Sequence, residues 1–286
     1  MRGWNSLTMV HVAETLAGLR ASLAPWRASQ RIALVPTMGA LHEGHLGLVR
    51  KARELADRVV VSIFVNPAQF APHEDLARYP RPIENDLKLL KAERVDVVYT
   101  PSEREIYPEG FTTQISMGGP ALGLESDFRP HFFGGVAIVV AKLFLQVRPD
   151  LAVFGEKDYQ QLLVVRRMSK DLDLDLEIVG VPTFREADGL ALSSRNAYLT
   201  PEQRRIAPAL NKELRDIASR ARSGTALPAL EAQAAASLLS AGFERVDYVA
   251  IRAPQTLERP REITGPARVL AAAWLGKTRL IDNVEI

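Results

Sequence analysis

Two histidines three residues apart stand in the string Pro36-Thr37-Met38-Gly39-Ala40-Leu41-His42-Glu43-Gly44-His45. At the start of a helix that spacing puts both rings on one face, where free backbone N–H groups and the positive dipole end favour phosphate. Gly44 lets a large ligand approach the backbone. An imidazole there can donate to phosphoryl oxygens as charge develops in a transition state. The bland alternative is two loop histidines with glycines serving a turn, but the position directly after an apolar run of strand length favours the chemical reading. Three further strings carry polar groups in comparable places. In Phe64-Val65-Asn66-Pro67-Ala68-Gln69-Phe70, Pro67 ends a strand while the Asn66 and Gln69 amides both donate and accept, which suits a ligand bearing hydroxyls and a carboxylate. An ordinary Asn-Pro turn is the alternative. In Gly155-Glu156-Lys157-Asp158-Tyr159-Gln160-Gln161, Gly155 permits close approach and Lys157 is a flexible cation suited to a triphosphate. Asp158 could bind ribose hydroxyls or cap its own helix, and a merely charged helix start stays open. In Leu192-Ser193-Ser194-Arg195-Asn196, two hydroxyls and a permanent cation could cover phosphates, or could form a polar interdomain loop.

The elements that must position these groups are readable from periodicity. Arg31–Pro36, Val59–Val65, Asp96–Pro101, Leu151–Gly155 and Leu176–Pro182 are apolar runs of strand length. Helical patterns lie between them, from about Glu43 to Asp57, over Ile83–Glu93 and over Glu156–Lys170. Apolar strands alternating with helices predict an α/β fold, a Rossmann-like doubly wound parallel sheet covered on both faces. Ligands of such sheets bind beyond the carboxyl ends of strands, where the first three strings fall, while the fourth lies at the domain junction. After Pro182 the pattern changes. Helices over Pro201–Arg222 and Pro228–Ala241, with a turn at Ser223–Thr225 and Pro228 at the first position of the second helix, precede strands over Arg245–Arg252 and Arg268–Trp274. This predicts a second, smaller α+β domain, with residues 1–182 in the first domain and 183–286 in the second.

Composition narrows the function classes. The 286 residues are 47% hydrophobic and 24% charged, ordinary values that argue against disorder. Thirty-six basic against 34 acidic residues give a net charge of +2, far below a nucleic-acid-binding stripe. The absence of cysteine removes disulfides, thiolate nucleophiles and zinc–cysteine sites, and fits a cytoplasmic protein. No secretory signal is visible in Met1–Val10, and the most apolar run, Gly134–Val147, is interrupted by Lys142 and too short to span a bilayer.

The string around His42 and His45 resembles the HIGH signature of adenylate-forming and nucleotidyl-transferring α/β enzymes. Taken with the other three strings, in the same order over residues 36–196, the chain is similar to the pantoate–β-alanine ligase family, and its tail resembles that family's small C-terminal domain. The resemblance implies an ATP-dependent joining of pantoate to β-alanine through a pantoyl adenylate, with release of pyrophosphate and AMP. It implies ATP contacts from Pro36 to His45, at Gly155, Glu156, Lys157 and Asp158, at Thr183 and Phe184 (backbone, to adenine), and at Leu192, Ser193, Ser194 and Arg195. His42, His45, Lys157 and Arg195 would stabilise developing charge; Gln69 and Gln161, with Asn66 and Arg129 nearby, would hold pantoate. Magnesium is expected with ATP; its ligands are not identifiable, Asp86 being a weak candidate. The partners implied are small molecules and a second copy of the chain, with no nucleic acid and no membrane. A nucleotidyltransferase that keeps AMP on its product and a nucleotide-binding regulator without turnover are the alternatives.

Two details depart from a simple carry-over. Arg167-Met168-Ser169-Lys170-Asp171 looks more like the KMSKS loop of related enzymes than Ser193–Asn196 does, yet it falls at the far end of the helix that opens near Asp158, about 18 Å away. It reads as a solvated helix end. The family's RPxHFxGVxTVV is here Arg129-Pro130-His131-Phe132-Phe133-Gly134-Gly135-Val136-Ala137-Ile138-Val139-Val140. The histidine comes one place early, phenylalanine fills its usual position and Ile138 replaces threonine.

Overall fold

The computed structural model describes residues 10–70, 75–222 and 225–286. Met1–Met9 and the Ser223–Gly224 part of the expected turn lie outside the described residues. In chain order the elements are β1 (His11–Ala13), α1 (Leu16–Leu23), β2 (Ile32–Thr37), α2 (Glu43–Leu55), β3 (Arg58–Ile63), α3 (Ile83–Ala92), β4 (Val97–Tyr99), α4 (Glu103–Ile106), α5 (Glu125–Phe128), α6 (Phe132–Val147), β5 (Leu151–Gly155), α7 (Tyr159–Asp171), β6 (Glu177–Val181), α8 (Pro201–Ile206), α9 (Ala209–Arg220), α10 (Leu227–Ala241), β7 (Arg245–Arg252), β8 (Arg268–Leu275) and β9 (Thr278–Glu285).

Strands rich in Val, Ile, Leu and Ala are buried on both faces, which only a parallel sheet between two helical layers allows. The first six strands form that sheet in the order β1-β4-β3-β2-β5-β6, with every described pairing parallel. The chain runs outward from β2 to β4 on one side, then from β5 to β6 on the other. The direction therefore reverses between β2 and β5, which pair through Ala33–Leu151 and Leu34–Ala152. That switch point opens a crevice at the carboxyl ends of these two strands, where Pro36–His45 and Gly155–Gln161 begin.

The small lobe is a three-stranded antiparallel sheet, β7-β8-β9, covered by α8 to α10 around its own apolar cluster of Leu210, Leu214, Ile217, Leu238, Ile251 and Val269. Three expectations need correction here. The helix expected over Pro201–Arg222 is two helices, because Pro208 has no N–H to donate and the chain bends between Ile206 and Ala209. A third strand, β9, follows the two-residue turn Gly276–Lys277, where Leu275 pairs with Thr278 and Gly276 takes φ +57. Pro228 is the second residue of α10, after Leu227.

In the large lobe the expected Glu156–Lys170 helix starts later. Glu156–Asp158 make a single 3₁₀ turn and α7 begins at Tyr159. Helix α6 is buried over most of its surface, against the sheet, α1 and α7, with Leu145 left exposed. No described helix is long and apolar enough to cross a membrane.

Candidate active site

The crevice at the switch point widens into a cleft of about 1580 Å³ bordered by both lobes. Its volume exceeds the range of about 300–1,000 Å³ usual for one small ligand. His42 is the N-cap residue of α2. Its Nδ1 accepts the Gly44 N–H at 3.2 Å, and the His45 Nδ1 accepts the His42 N–H at 3.4 Å. The two rings stand 4.1 Å apart, centroid to centroid. With Nδ1 occupied as an acceptor, each neutral ring carries its proton on Nε2 and is a donor there. Burial, followed by the charge of Lys157, pushes His42 down to about 4. Burial, then His42 and Lys157, pushes His45 down to about 3. Near neutral pH both rings are therefore uncharged hydrogen-bond donors. Gly44 is needed for this arrangement, since a Cβ there would fall 2.9 Å from the His42 ring.

The turn before the histidines is held from outside the cleft. Asp86, buried on α3, accepts the Ala40 N–H at 2.9 Å and the Leu41 N–H at 2.8 Å through separate oxygens. Asp86 thus holds the turn and does not itself border the cleft, where a magnesium ion carried by ATP would lie. Pro36, Thr37, Met38, His42, Gly44 and His45 border the cleft, whereas Gly39, Ala40, Leu41 and Glu43 do not. Glu43 instead pairs with Arg50.

Gln69 borders the cleft and donates through Nε2 to the Met38 Sδ at 3.0 Å. Asn66 is 1% exposed, and all four of its hydrogen-bonding positions are taken. Its Oδ1 accepts from the Tyr107 hydroxyl at 2.7 Å and the Ala68 N–H at 3.3 Å; its Nδ2 donates to Gln69 Oε1 at 3.1 Å and the Gly135 carbonyl at 3.0 Å. Asn66 therefore sits behind Gln69 and orients it. Helix α6 presses against this turn so closely that a Cβ on Gly135 would fall 2.2 Å from the Ala68 carbonyl oxygen. His131 points outward and is exposed, while Phe132 borders the cleft with the Arg129 guanidinium stacked 3.9 Å from its ring centroid.

At the end of β5, Gly155, Lys157, Asp158 and Gln161 border the cleft. Lys157 Nζ lies 3.7 Å from Asp158 Oδ2, and Asp158 makes no side-chain cap to α7. Gln160 also borders the cleft but is 4% exposed. Its amide holds the 120–125 loop through the Pro120 and Gly123 carbonyls and the Glu125 N–H, all within 3.1 Å. Glu156 points away from the cleft toward Arg268 of the small lobe, at 3.3 Å. At the C-terminal end of α7, Arg167 pairs with Asp171, and Lys170 is exposed. Met168 and Ser169 are buried there, so that end is solvated on one side only.

Thr183, Phe184, Leu192, Ser193, Ser194 and Arg195 also border the cleft. The Phe184 ring lies directly on Gly47, where a Cβ would meet it at 2.0 Å, and the Phe184 carbonyl accepts the Leu192 N–H at 2.9 Å. Ser193 Oγ accepts the Arg195 N–H at 3.3 Å, opening a 3₁₀ turn over Ser194–Tyr198. The Ser194 and Tyr79 hydroxyls are 3.3 Å apart. Sequence reasoning did not single out Tyr79, nor Glu125, Asp247, Tyr248, Arg279 and Asn283, which also border the cleft. No local spacing marks them, because partners such as Glu125 with Arg279 and Asn283 with Glu156 lie more than 100 residues apart in the chain. Among the described residues, no group of three or more His, Asp or Glu side chains is placed to hold a metal ion.

Comparison with known proteins agrees with this geometry. The family model for pantoate-beta-alanine ligase matches residues 11–285. A pantothenate synthetase of Mesorhizobium japonicum is 57% identical over 276 residues, covering 96% of this chain and 97% of that protein. The crystal structure of pantothenate synthetase from Thermus thermophilus superposes with a TM-score of 0.90 at 48% identity, covering 96% of this chain and 99% of that one. That of the ligase from Francisella tularensis, complexed with beta-gamma ATP and beta-alanine, gives 0.82 at 34% identity, covering 96% and 97%. A doubly wound sheet with its switch point at the histidine turn, an antiparallel lobe closing over it and likeness along nearly the whole chain lead to one conclusion: this chain belongs to the pantoate–β-alanine ligase family.

Proposed function

We propose that the cleft joins pantoate to β-alanine at the expense of ATP in two steps. A pantoate carboxylate oxygen attacks the α-phosphorus, the bond to the β-phosphate oxygen breaks and pyrophosphate leaves. The β-alanine amine then attacks the acyl carbon of the pantoyl adenylate, and AMP leaves with the electron pair of the acyl–oxygen bond. The observation that carries this reading is the pair of neutral, backbone-fixed imidazoles bordering the same cleft as Ser193–Arg195. Their Nε2–H groups, with Lys157 and Arg195, would stabilise charge as it builds on the phosphoryl oxygens. Gly155 and Asp158 would hold the ribose, Thr183 and Phe184 the adenine, and Gln69 and Gln161 the pantoate oxygens. Little covalent help is needed from the protein, so orientation and charge stabilisation carry the rate.

Magnesium belongs to this proposal as the counter-ion a triphosphate brings with it. Of the carboxylates bordering the cleft, Glu125 and Asp247 pair with Arg279, Asp282 with Arg185, and Asp158 lies 3.7 Å from Lys157. That donor set does not make a resident metal site. A division at residue 182 into a nucleotide- and acid-binding domain and a closing domain, a homodimer and a cytoplasmic location complete the proposal. The test is ATP–pyrophosphate exchange. Exchange that needs pantoate and proceeds without β-alanine is the expected result, and a strict requirement for β-alanine would remove the two-step scheme. AMP release, as opposed to AMP retained on the product, separates the ligase from a nucleotidyltransferase.

A further inference from the structure

Among the described contacts between the two lobes, Tyr159 donates to the Pro254 carbonyl at 2.9 Å, and Leu124, Tyr159 and Leu163 pack with Ala250, Leu257 and Leu270. Two polar ties differ in kind. On the nucleotide side, Asn283 Nδ2 donates to the Glu156 and Lys157 carbonyls at 2.8 and 2.9 Å, and Arg268 reaches Glu156. On the other side a polar tie is gathered on one carboxylate, beside the Phe128–Tyr248 ring contact. Glu125 is buried at the start of α5 in the large lobe. Its oxygens accept from the Tyr248 hydroxyl at 2.8 Å and from Arg279 Nη1 at 2.8 and 2.9 Å, both from the small lobe. Arg129 Nη1, from the large lobe, lies 3.6 Å from the same carboxylate. Arg129 donates in turn to the Gln69 carbonyl at 3.1 Å and stacks on Phe132. Beneath Glu125, the Gln160 amide holds its backbone N–H, one residue before Gln161.

We infer that Glu125 is a positioning residue that couples acid binding to lobe closure: it fixes Arg129 beside Gln69 and, through the same carboxylate, latches Tyr248 and Arg279 of the small lobe. The physical basis is that a buried carboxylate cannot lose one partner without leaving charge uncompensated, so the two cations and the hydroxyl must be gathered together. Closing the lobes completes the charge balance around Glu125, and that balance sets the guanidinium that holds the Gln69 backbone. Asn283 and Arg268 guard the nucleotide side independently, so disturbing Glu125 should reach acid binding first.

Because acid binding at Gln69 and Gln161 belongs to the ligase reading, two readouts are needed. The first is pantoate- and ATP-dependent pyrophosphate exchange in the full chain and in Glu125→Gln, which keeps the shape and an acceptor for Tyr248 but removes the charge. The expected result is a pantoate KM raised by about 10-fold or more, with the ATP KM changed by less than about twofold. Tyr248→Phe, which deletes a single hydrogen bond, should show the same bias more weakly and covers the case in which Glu125→Gln fails to fold. The second readout does not need activity. The chain has no cysteine, so spin labels on Glu54→Cys and Lys212→Cys, both exposed and one on each lobe, report the distance between the lobes alone. A broader and longer distribution in Glu125→Gln than in its parent is expected. An unchanged distribution, or a lower melting temperature with both KM values unmoved, would overturn the inference. If the parent shows no pantoate-dependent exchange, the ligase reading falls, and the label distances alone decide the latch.

Discussion

The histidine turn and the lobe seam border the same cleft but are built in opposite ways. At the turn, His42 and His45 are fixed by N–H groups of their own segment, within three residues, and both rings are held neutral. At the seam, Glu125, Asp247, Tyr248 and Arg279 are charged or strongly polar, and Glu125 comes from a segment more than 100 residues away from its partners. Short-range backbone contacts give a preorganised donor pair that needs no partner lobe. Long-range buried charges give a contact that exists only when the lobes meet. The contrast teaches where each kind of defect should appear: changes at the turn should act on the transition state, and changes at the seam on ligand affinity, closure and stability.

The largest expected effect breaks the turn. His45→Ala should slow single-turnover adenylation by roughly 10²–10³-fold, the usual loss for one transition-state donor, with ATP affinity falling much less. Arg195→Ala should damage the same step. Lys170→Ala, on the exposed end of α7, should leave it nearly unchanged. An adenylation rate hurt more at Lys170 than at Arg195 would mean that the phosphate loop has been misassigned.

The next effect contrasts neighbours on α7. Gln161→Ala and Gln69→Ala should each raise the pantoate KM or lower adenylation by about 5–150-fold, the scale of one unpaired buried polar partner. Gln160→Ala loses three hydrogen bonds to the 120–125 loop. It should lower the melting temperature clearly and the use of pantoate less than Gln161→Ala does. Equal pantoate defects at 160 and 161 at saturating ATP would show that the acid pocket does not lie on the Gln161 side.

Much of this contrast tracks what could be read from the residues. The large-lobe strands, the position of the histidine turn and the choice of Ser193–Asn196 over Arg167–Asp171 follow from local apolar runs and helix spacing, which act over a few residues. Helix α6 carried no clear amphipathic period because nearly all its side chains are buried and the exposed Leu145 is itself apolar, so only its hydrophobicity was visible. Strand β9 was missed for the opposite reason. Arg279, Asp282 and Asn283 look like loop residues, yet they are polar because the seam uses them. Asn66 shows the same limit within the site: its string marked it as ligand-like, and only the folded partners Tyr107 and Gly135 show that its bonds are already spent.

A smaller effect concerns acidity. Both histidines have folded-state values, about 4 and about 3, below the ordinary 6.5. Between those limits the unfolded chain binds more protons, so stability rises with pH up to about 6.5 and is lost as pH falls toward 4. Melting temperatures across pH 4–7 should therefore slope less steeply in His42→Gln combined with His45→Gln than in the native chain. Equal slopes would mean that the rings are not held neutral.

The smallest expected effect is at His131, and it tests whether the departure in the 129–140 segment was read correctly. A histidine one place earlier than in the family pattern could still serve the cleft if the local backbone slipped by one residue. Here it has not slipped: Phe132 borders the cleft and carries the Arg129 stack, Gly135 is locked against the Ala68 carbonyl, and His131 is left exposed at the head of α6 without a side-chain cap. A slip that carried His131 to the Phe132 position would put Gly134 against the Ala68 carbonyl and Phe133 at the Gly134 position, where a Cβ already falls 3.2 Å from the Ile115 carbonyl oxygen. His131→Ala should therefore change adenylation and the pantoate KM by less than about twofold, within the range of an exposed substitution. Phe132→Ala should raise the pantoate KM more, since Arg129 loses the ring it stacks on. A large adenylation loss in a folded His131→Ala variant, with Phe132→Ala nearly silent, would show that the segment shifts register when substrates bind and that the ring facing the reaction is the histidine.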